Sequence, residues 1–179
     1  GQAEMNRSFA SPAEMNVATN ALPTDLPPLT DTQRKAVKEF FPLADALTTA
    51  LSADSLEKFN TQAVNTHDAA SKLFTAFSGS DAWQALAKEV EAASHLAKVH
   101  DLKEARRAFY PFSTAVVVLA QSARRGDREF TTLRVFRCPM TKDAFPGAPS
   151  RGEWIQFQPQ IHNPWLGAEM RDCGSEVKP

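Results

Sequence analysis

The strongest constraint on the fold is a helical period through the middle of the chain. Between residues 31 and 120, apolar side chains recur at spacings of three and four, as in helices with one buried face. Short polar breaks at Ser52–Asp54, Ser78–Asp81 and His100–Asp101 divide this stretch into four parts. Four helices with short connections predict a mainly α fold, an antiparallel four-helix bundle.

The limits of each helix follow from local signals. Asp31 is expected to cap the first helix, from Thr32 to about Ala50, and Pro42 is expected to kink it or delay its start. The second helix carries the cleanest apolar stripe, with one polar residue, His67, in its middle. The second, third and fourth helices are predicted over Leu56–Phe77, about Ala82 to Val99, and Leu102–Ala120.

The two ends of the chain differ from this helical part. Residues 1 to about 30 contain four prolines and no sustained period, which predicts a flexible Pro-rich linker. Residues 31–179 are predicted to form one domain, because 179 residues with 42% hydrophobic content are too few for two ordinary domains. Its C-terminal part is expected to be an irregular tail with one or two short strands, before Cys138 and around Trp154–Phe157.

Charge and motifs exclude several classes of function. The chain has 20 Lys and Arg against 21 Asp and Glu, so its net charge of -1 does not favour binding to nucleic acid. The longest apolar run, 115–120, is far shorter than the roughly 20 residues of a membrane helix, so no membrane-spanning segment is expected. There is no Gly-rich phosphate loop, Gly-x-Ser-x-Gly or His-Glu-x-x-His motif, and an enzyme is not expected.

Two short motifs in the tail contain both cysteines and two of the four methionines, Cys138-Pro139-Met140 and Met170-Arg171-Asp172-Cys173. Residues at i and i+2 of an extended segment point to one side, and residues at i and i+3 of a helical turn share a face. Thiolate and thioether donors together select Cu(I), and Ag(I) is the related soft ion. The motifs therefore predict a Cu(I) site made of Cys138, Met140, Met170 and Cys173.

A disulfide between Cys138 and Cys173 is the alternative. It would stabilise the fold by about 3 to 4 kcal/mol in the loop-closure description. A disulfide needs neither Met140 nor Met170, so the methionines favour metal, and a redox-switched site is compatible with both interpretations.

The histidines are less informative. His67 is either a core histidine satisfied by a backbone carbonyl or an additional metal ligand from the helices. Zinc bound by the two cysteines and His67 is less favoured than copper, because zinc seldom binds methionine. His95, His100 and His162 have no partner at ligand spacing and are expected at the surface.

Several residues together resemble a known family. They are Arg106-x-x-Phe109-x-x-x-Ser113, Cys138-Pro139-Met140, Trp154, Asn163-Pro164-Trp165-Leu166-Gly167, Met170 and Cys173-Gly174. This set resembles the helical domain at the C-terminus of some copper and silver efflux membrane-fusion (adaptor) proteins, which also occurs as a free-standing periplasmic protein. Trp165 and Leu166 stand where that family usually has aromatic residues, and the loop between Met140 and Trp154 contains extra Pro and Gly.

The resemblance implies a function and a location. It implies a bacterial envelope domain that binds Cu(I) or Ag(I) and transfers it to an efflux or chaperone protein. The domain would be periplasmic or on the outer face of the envelope, either free or tethered through a region upstream of Gly1. The alternative function is a disulfide-stapled helical module of an envelope transport complex with no metal role.

Overall fold

The computed structural model describes residues 22–179, and its first helix begins at a capping box. The Thr30 hydroxyl accepts a hydrogen bond from the Gln33 N–H at 3.2 Å, and the Gln33 side chain accepts one from the Thr30 N–H at 3.0 Å. The cap is therefore Thr30, and the prediction of Asp31 was wrong by one residue. Asp31 lies in the first turn, where its carboxylate complements the positive end of the helix dipole. Pro42 does not delay the helix, which is continuous through it.

Five α-helices occur in this part of the chain, so the prediction of a mainly α fold is confirmed but the predicted number of helices is not. The second predicted helix is divided near Asn65. There the Gln62 carbonyl accepts bonds from the Asn65 N–H at 3.1 Å and the Thr66 hydroxyl at 3.2 Å, which ends the regular helical pattern. The helices are α1 Asp31–Ser52, α2 Leu56–Ala63, α3 Thr66–Ala76, α4 Asp81–Ala92 and α5 Leu102–Gly126.

Helix α4 ends at Ala92, seven residues before the predicted end at Val99. The Ser94 hydroxyl donates to the Glu91 carbonyl at 2.5 Å, and a tight turn follows. Beyond it, the Asn60 side-chain amide of α2 bonds to both the N–H and the carbonyl of Val99, each at 3.0 Å. A helix continuing to Val99 would use these backbone groups internally, so the contact with α2 replaces the last two turns.

A three-stranded antiparallel sheet forms near the C-terminus, with β1 Arg134–Cys138 in the centre. β2 Gly152–Gln156 and β3 Ser175–Val177 pair with it on either side. The first two strands match the predicted extended segments, whereas β3 was not predicted. The sheet packs mainly through β2 on α5 and α1.

One hydrophobic core continues from the helices into the tail. The Phe109 ring lies 6.0 Å from Phe112 and 5.4 Å from Trp165, between centroids. Before α1, Leu29 is buried and the Pro27 carbonyl accepts a bond from the Trp83 indole at 2.7 Å. Residues 1–21 of the predicted linker lie outside the described residues. Within residues 22–179, no helix is long and apolar enough to cross a lipid bilayer.

Candidate metal centre

Two cysteine side chains meet at the edge of the sheet. Cys138 is the last residue of β1 and is fully buried, whereas Cys173 lies just before β3 and is partly exposed. Both are free thiols, and they are close enough for Cys138 to raise the pKa of the Cys173 thiol. The structure therefore brings together two of the predicted ligands, which are far apart in sequence.

Strand pairing explains why these thiols are close. Arg137 of β1 pairs with Ser175 of β3, so the next position, Cys138, lies level with Gly174 and beside Cys173. Gly174 has a φ of +138°, and a Cβ there would lie 2.9 Å from the Arg137 carbonyl and 3.1 Å from the Trp154 ring. Glycine is required at this position, because other residues rarely adopt this backbone and their Cβ would force the strands apart.

A buried asparagine fixes the backbone of the second cysteine. The Asn163 side-chain amide donates to the Cys173 carbonyl at 2.8 Å. Its other atom, Oδ1, accepts bonds from the N–H groups of Trp165 at 2.8 Å and Leu166 at 3.0 Å. Because Asn163 is fully buried, water cannot replace these bonds.

A buried arginine holds the same loop against the helices. The Arg106 guanidinium of α5 donates to the carbonyls of Pro164 at 2.8 Å and Leu51 at 3.0 Å, and pairs with the Asp54 carboxylate at 2.7 Å. The other oxygen of Asp54 accepts the Ala168 N–H at 3.2 Å. Arg106 and Asp54 together connect the loop to α5 and to the junction between α1 and α2.

Two further residues on the same face of α5 contact the tail. Phe109 packs on Trp165, and the Ser113 hydroxyl donates to the Glu153 carbonyl of β2 at 2.6 Å. Arg106, Phe109 and Ser113 are spaced by three and four residues and so share one face of the helix. The spacing of this motif is thus explained by three contacts that position the segment carrying the cysteines.

In each of the two motifs, a backbone N–H group makes a hydrogen bond between the methionine and the cysteine. The Met140 N–H donates to Cys138 Sγ at 3.4 Å, and the Cys173 N–H donates to the Met170 carbonyl at 3.1 Å. The second contact closes the helical turn that the Met-x-x-Cys spacing predicts. β1 ends at Cys138, so the strand alternation predicted for Cys-x-Met does not extend to Met140.

Both methionine side chains face solvent. Met140 is 42% exposed and Met170 is 40% exposed, and only Val64 at 52% joins them as an exposed large apolar residue in residues 22–179. Exposing an unbranched apolar side chain forgoes the favourable burial that most methionines achieve. The two thioethers are therefore accessible to an ion or to a partner protein.

The protonation of the thiols follows from their surroundings. Burial raises the pKa of the Cys173 thiol, and the neighbouring Cys138 and Asp172 raise it further. Desolvation and negative charge both disfavour a thiolate. Cys173 therefore carries its proton at neutral pH, and a metal ion that binds there must displace it.

The structure does not bring His67 to the cysteines. His67 Nδ1 lies 3.2 Å from the Ser94 hydroxyl and 3.7 Å from Glu91 Oε1, and its ring stacks on His95 at 4.0 Å. In the described chain, the one group of three or more His, Cys, Asp or Glu side chains with ligand atoms close enough to share an ion is His67, Glu91 and His95. His95 is exposed, as expected, but sequence reasoning missed this group, although Glu91 and His95 have the i, i+4 spacing of neighbours on a helix.

Comparisons with protein-family models, curated proteins and solved structures find no match for this chain. The resemblance to the copper-efflux domain therefore depends on the motif residues alone.

Proposed function

We propose that this chain is a Cu(I)-binding domain that acts in copper resistance or efflux, as a metallochaperone or as the metal site of an adaptor protein. Cys138 and Cys173 bind the ion as thiolates, and Met140 and Met170 supply thioethers. Ag(I) binds to the same donors. The observation that supports the proposal most strongly is the pair of facing thiols, each with a solvent-exposed methionine two or three residues away.

The donor set favours a soft monovalent ion over zinc. Thiolate and thioether are both polarizable donors, which suits Cu(I). A structural zinc site needs four nitrogen or sulfur ligands of the cysteine and histidine type. His67, the third ligand of the zinc alternative, pairs instead with Glu91 and Ser94.

The uneven burial of the two cysteines suits ion transfer. Cys138 is fully buried, whereas Cys173, Met140 and Met170 are reachable from solvent. A partner's sulfur ligands would replace the exposed donors first and Cys138 last, so the ion is never released to water. The function is capture and exchange, not turnover.

The resemblance supports the biological setting. It favours a bacterial envelope protein, periplasmic or outward-facing, with an efflux or chaperone protein as partner. On this proposal the helices act as an antiparallel four-helix bundle in which α2 and α3 together form one arm. Arg106, Phe109 and Ser113 then hold the metal segment on this scaffold.

A disulfide-stapled interaction module is the second candidate, because the facing thiols would also suit a disulfide. In that case a Cys138–Cys173 bond fastens β3 to β1, and the helices bind a transport partner. The exposed methionines then have no role.

A competition titration tests the proposal. The fully reduced protein is titrated with Cu(I) without oxygen against a colorimetric Cu(I) chelator, beside Cys138→Ser and a Met140→Leu/Met170→Leu double variant. The matched control is Met5→Leu/Met15→Leu, which removes the other two methionines. Wild type and control should compete equally, and both site variants should compete less well. If wild type fails to compete, or if neither site variant changes its affinity, the copper function is wrong.

A further inference from the structure

A second group of metal-ligating side chains lies where α3 meets the end of α4. His67 comes from the first turn of α3, Glu91 from the last turn of α4, and His95 from the segment just beyond it. Their ligand atoms all lie within 4.8 Å of one another. None of these residues takes part in the sulfur pair.

The distances are near those of a shared ion. Glu91 Oε1 lies 3.7 Å from His67 Nδ1 and 3.9 Å from His95 Nε2. Two ligands of one tetrahedral zinc ion, with bonds of about 2.1 Å, are about 3.4 Å apart. A small rotation of each side chain closes this difference. The rotation is feasible because His95 is exposed and His67 and Glu91 are only partly buried.

A buried hydroxyl holds the group in place. Ser94 is fully buried and donates its proton to the Glu91 carbonyl at 2.5 Å, so its oxygen acts as acceptor towards His67 Nδ1 at 3.2 Å. This arrangement restrains the imidazole of His67 beside the helix turn that carries Glu91. To bind an ion through Nδ1, His67 gives up the Nδ1 proton and this hydrogen bond, because a ligating imidazole nitrogen must be deprotonated.

We propose that His67, Glu91 and His95 form a divalent-cation site of the zinc class, separate from the sulfur pair. Two imidazoles and a carboxylate are borderline and hard donors, which suit Zn(II) and do not select Cu(I). Three protein ligands leave a fourth position for water or for a partner's side chain. The site joins α3 to α4, so a bound ion stabilises this junction in addition to the contact between Asn60 and Val99.

This proposal is independent of the copper function. The ordinary alternative is a surface cluster, with an i, i+4 contact between Glu91 and His95 and two stacked rings. If the group were only a surface cluster, removing His67 or His95 would affect Zn(II) binding no more than removing His100 or His162.

The test is a Zn(II) titration of the whole chain against a chromophoric chelator. His67→Gln and His95→Gln should each weaken the site at least about tenfold, since each removes one ligand. His100→Gln is the matched control and should bind as wild type does. Circular dichroism should show the same helix content in all variants, because the substituted side chains are not fully buried.

Cobalt absorption separates this site from the cysteines, because thiolates are also zinc ligands in proteins. Co(II) bound by His67, Glu91 and His95 should give visible d–d bands without the near-ultraviolet charge transfer that thiolate ligands produce. The visible bands should survive Cys173→Ser and disappear in His95→Gln. The proposal is overturned if Zn(II) affinity is unchanged in His67→Gln and His95→Gln. It is also overturned if all cobalt absorption is of the thiolate type and is lost in Cys173→Ser.

Discussion

The side-chain amide of Asn163 donates a hydrogen bond to the backbone carbonyl of Cys173 at 2.8 Å. Cys173 approaches Cys138 from a turn, and strand pairing starts only at Ser175. The position of the second thiol therefore depends on this buried amide as well as on the sheet. Substitution of residues that position Cys173 but bind no metal should therefore change the affinity for Cu(I).

Asn163→Asp tests the contact with Cys173 directly. The carboxylate can still accept the N–H groups of Trp165 and Leu166, but it cannot donate to the Cys173 carbonyl. The buried carbonyl loses its partner and faces a negative oxygen, which should cost about 1 to 3 kcal/mol in the free energy of unfolding. Urea denaturation measures this loss. Wild-type stability together with wild-type Cu(I) affinity would show that the amide does not position Cys173.

Gly174→Ala should weaken Cu(I) binding without removing a ligand. The backbone at φ +138° and the 2.9 Å approach to the Arg137 carbonyl leave no room for a Cβ. We expect a loss of about 1 to 3 kcal/mol in the free energy of unfolding, because either the backbone of residue 174 is strained or β1 and β3 move apart. The control is Gly126→Ala, where a Cβ meets nothing within 4 Å and stability should not fall. Equal stability of the two variants would contradict this account.

Arg106→Lys should loosen the tail. A lysine cannot reproduce the planar set of bonds to Pro164, Leu51 and Asp54, so buried carbonyls lose their donors. The expected cost is about 2 to 4 kcal/mol, measured by urea denaturation. The neighbouring Arg107→Lys is the control, because Arg107 is exposed, makes one long hydrogen bond of 3.4 Å to the Pro146 carbonyl, and lies 5.7 Å over the Phe145 ring, a contact that a lysine can also make. An effect of Arg107→Lys as large as that of Arg106→Lys would refute the assignment.

Cu(I) affinity should rise with pH. The ion binds thiolates, and the raised pKa of Cys173 keeps that thiol protonated well above neutrality, so binding releases its proton. Each proton released should change the apparent binding constant about tenfold per pH unit, with the weaker binding at lower pH. The slope should decrease by about one proton in Cys173→Ser. Competition titrations at several pH values measure it, and a binding constant that does not depend on pH would contradict thiolate ligation.

The sequence was a good guide to local elements and a poor one to long-range contacts. Apolar periodicity located the helices, because burial of one face is a local pattern. The end of α4 was missed because it depends on Asn60, which lies 39 residues from Val99. β3 was missed because Ser175–Val177 has no alternating pattern and exists through its pairing with β1.

The same distinction applies to the candidate site. Cys138 and Cys173 were expected together from their motifs, and the structure places them together. His67 was correctly placed on a helix, but its predicted position on the apolar stripe was wrong: the buried face passes through Thr66 and Ala70, and the His67 side chain is 40% exposed. Its neighbours are Glu91 at the end of α4 and His95 just beyond it, and the i, i+4 spacing of these two residues was readable from the sequence.

Copper K-edge X-ray absorption of the Cu(I)-loaded, reduced protein tests the central claim most directly, because it reports the atoms bound to the ion. The account predicts a coordination shell of sulfur only, and fewer sulfur neighbours in the Met140→Leu/Met170→Leu variant. A shell containing imidazole nitrogen or carboxylate oxygen, or one that is unchanged in Cys173→Ser, would contradict it.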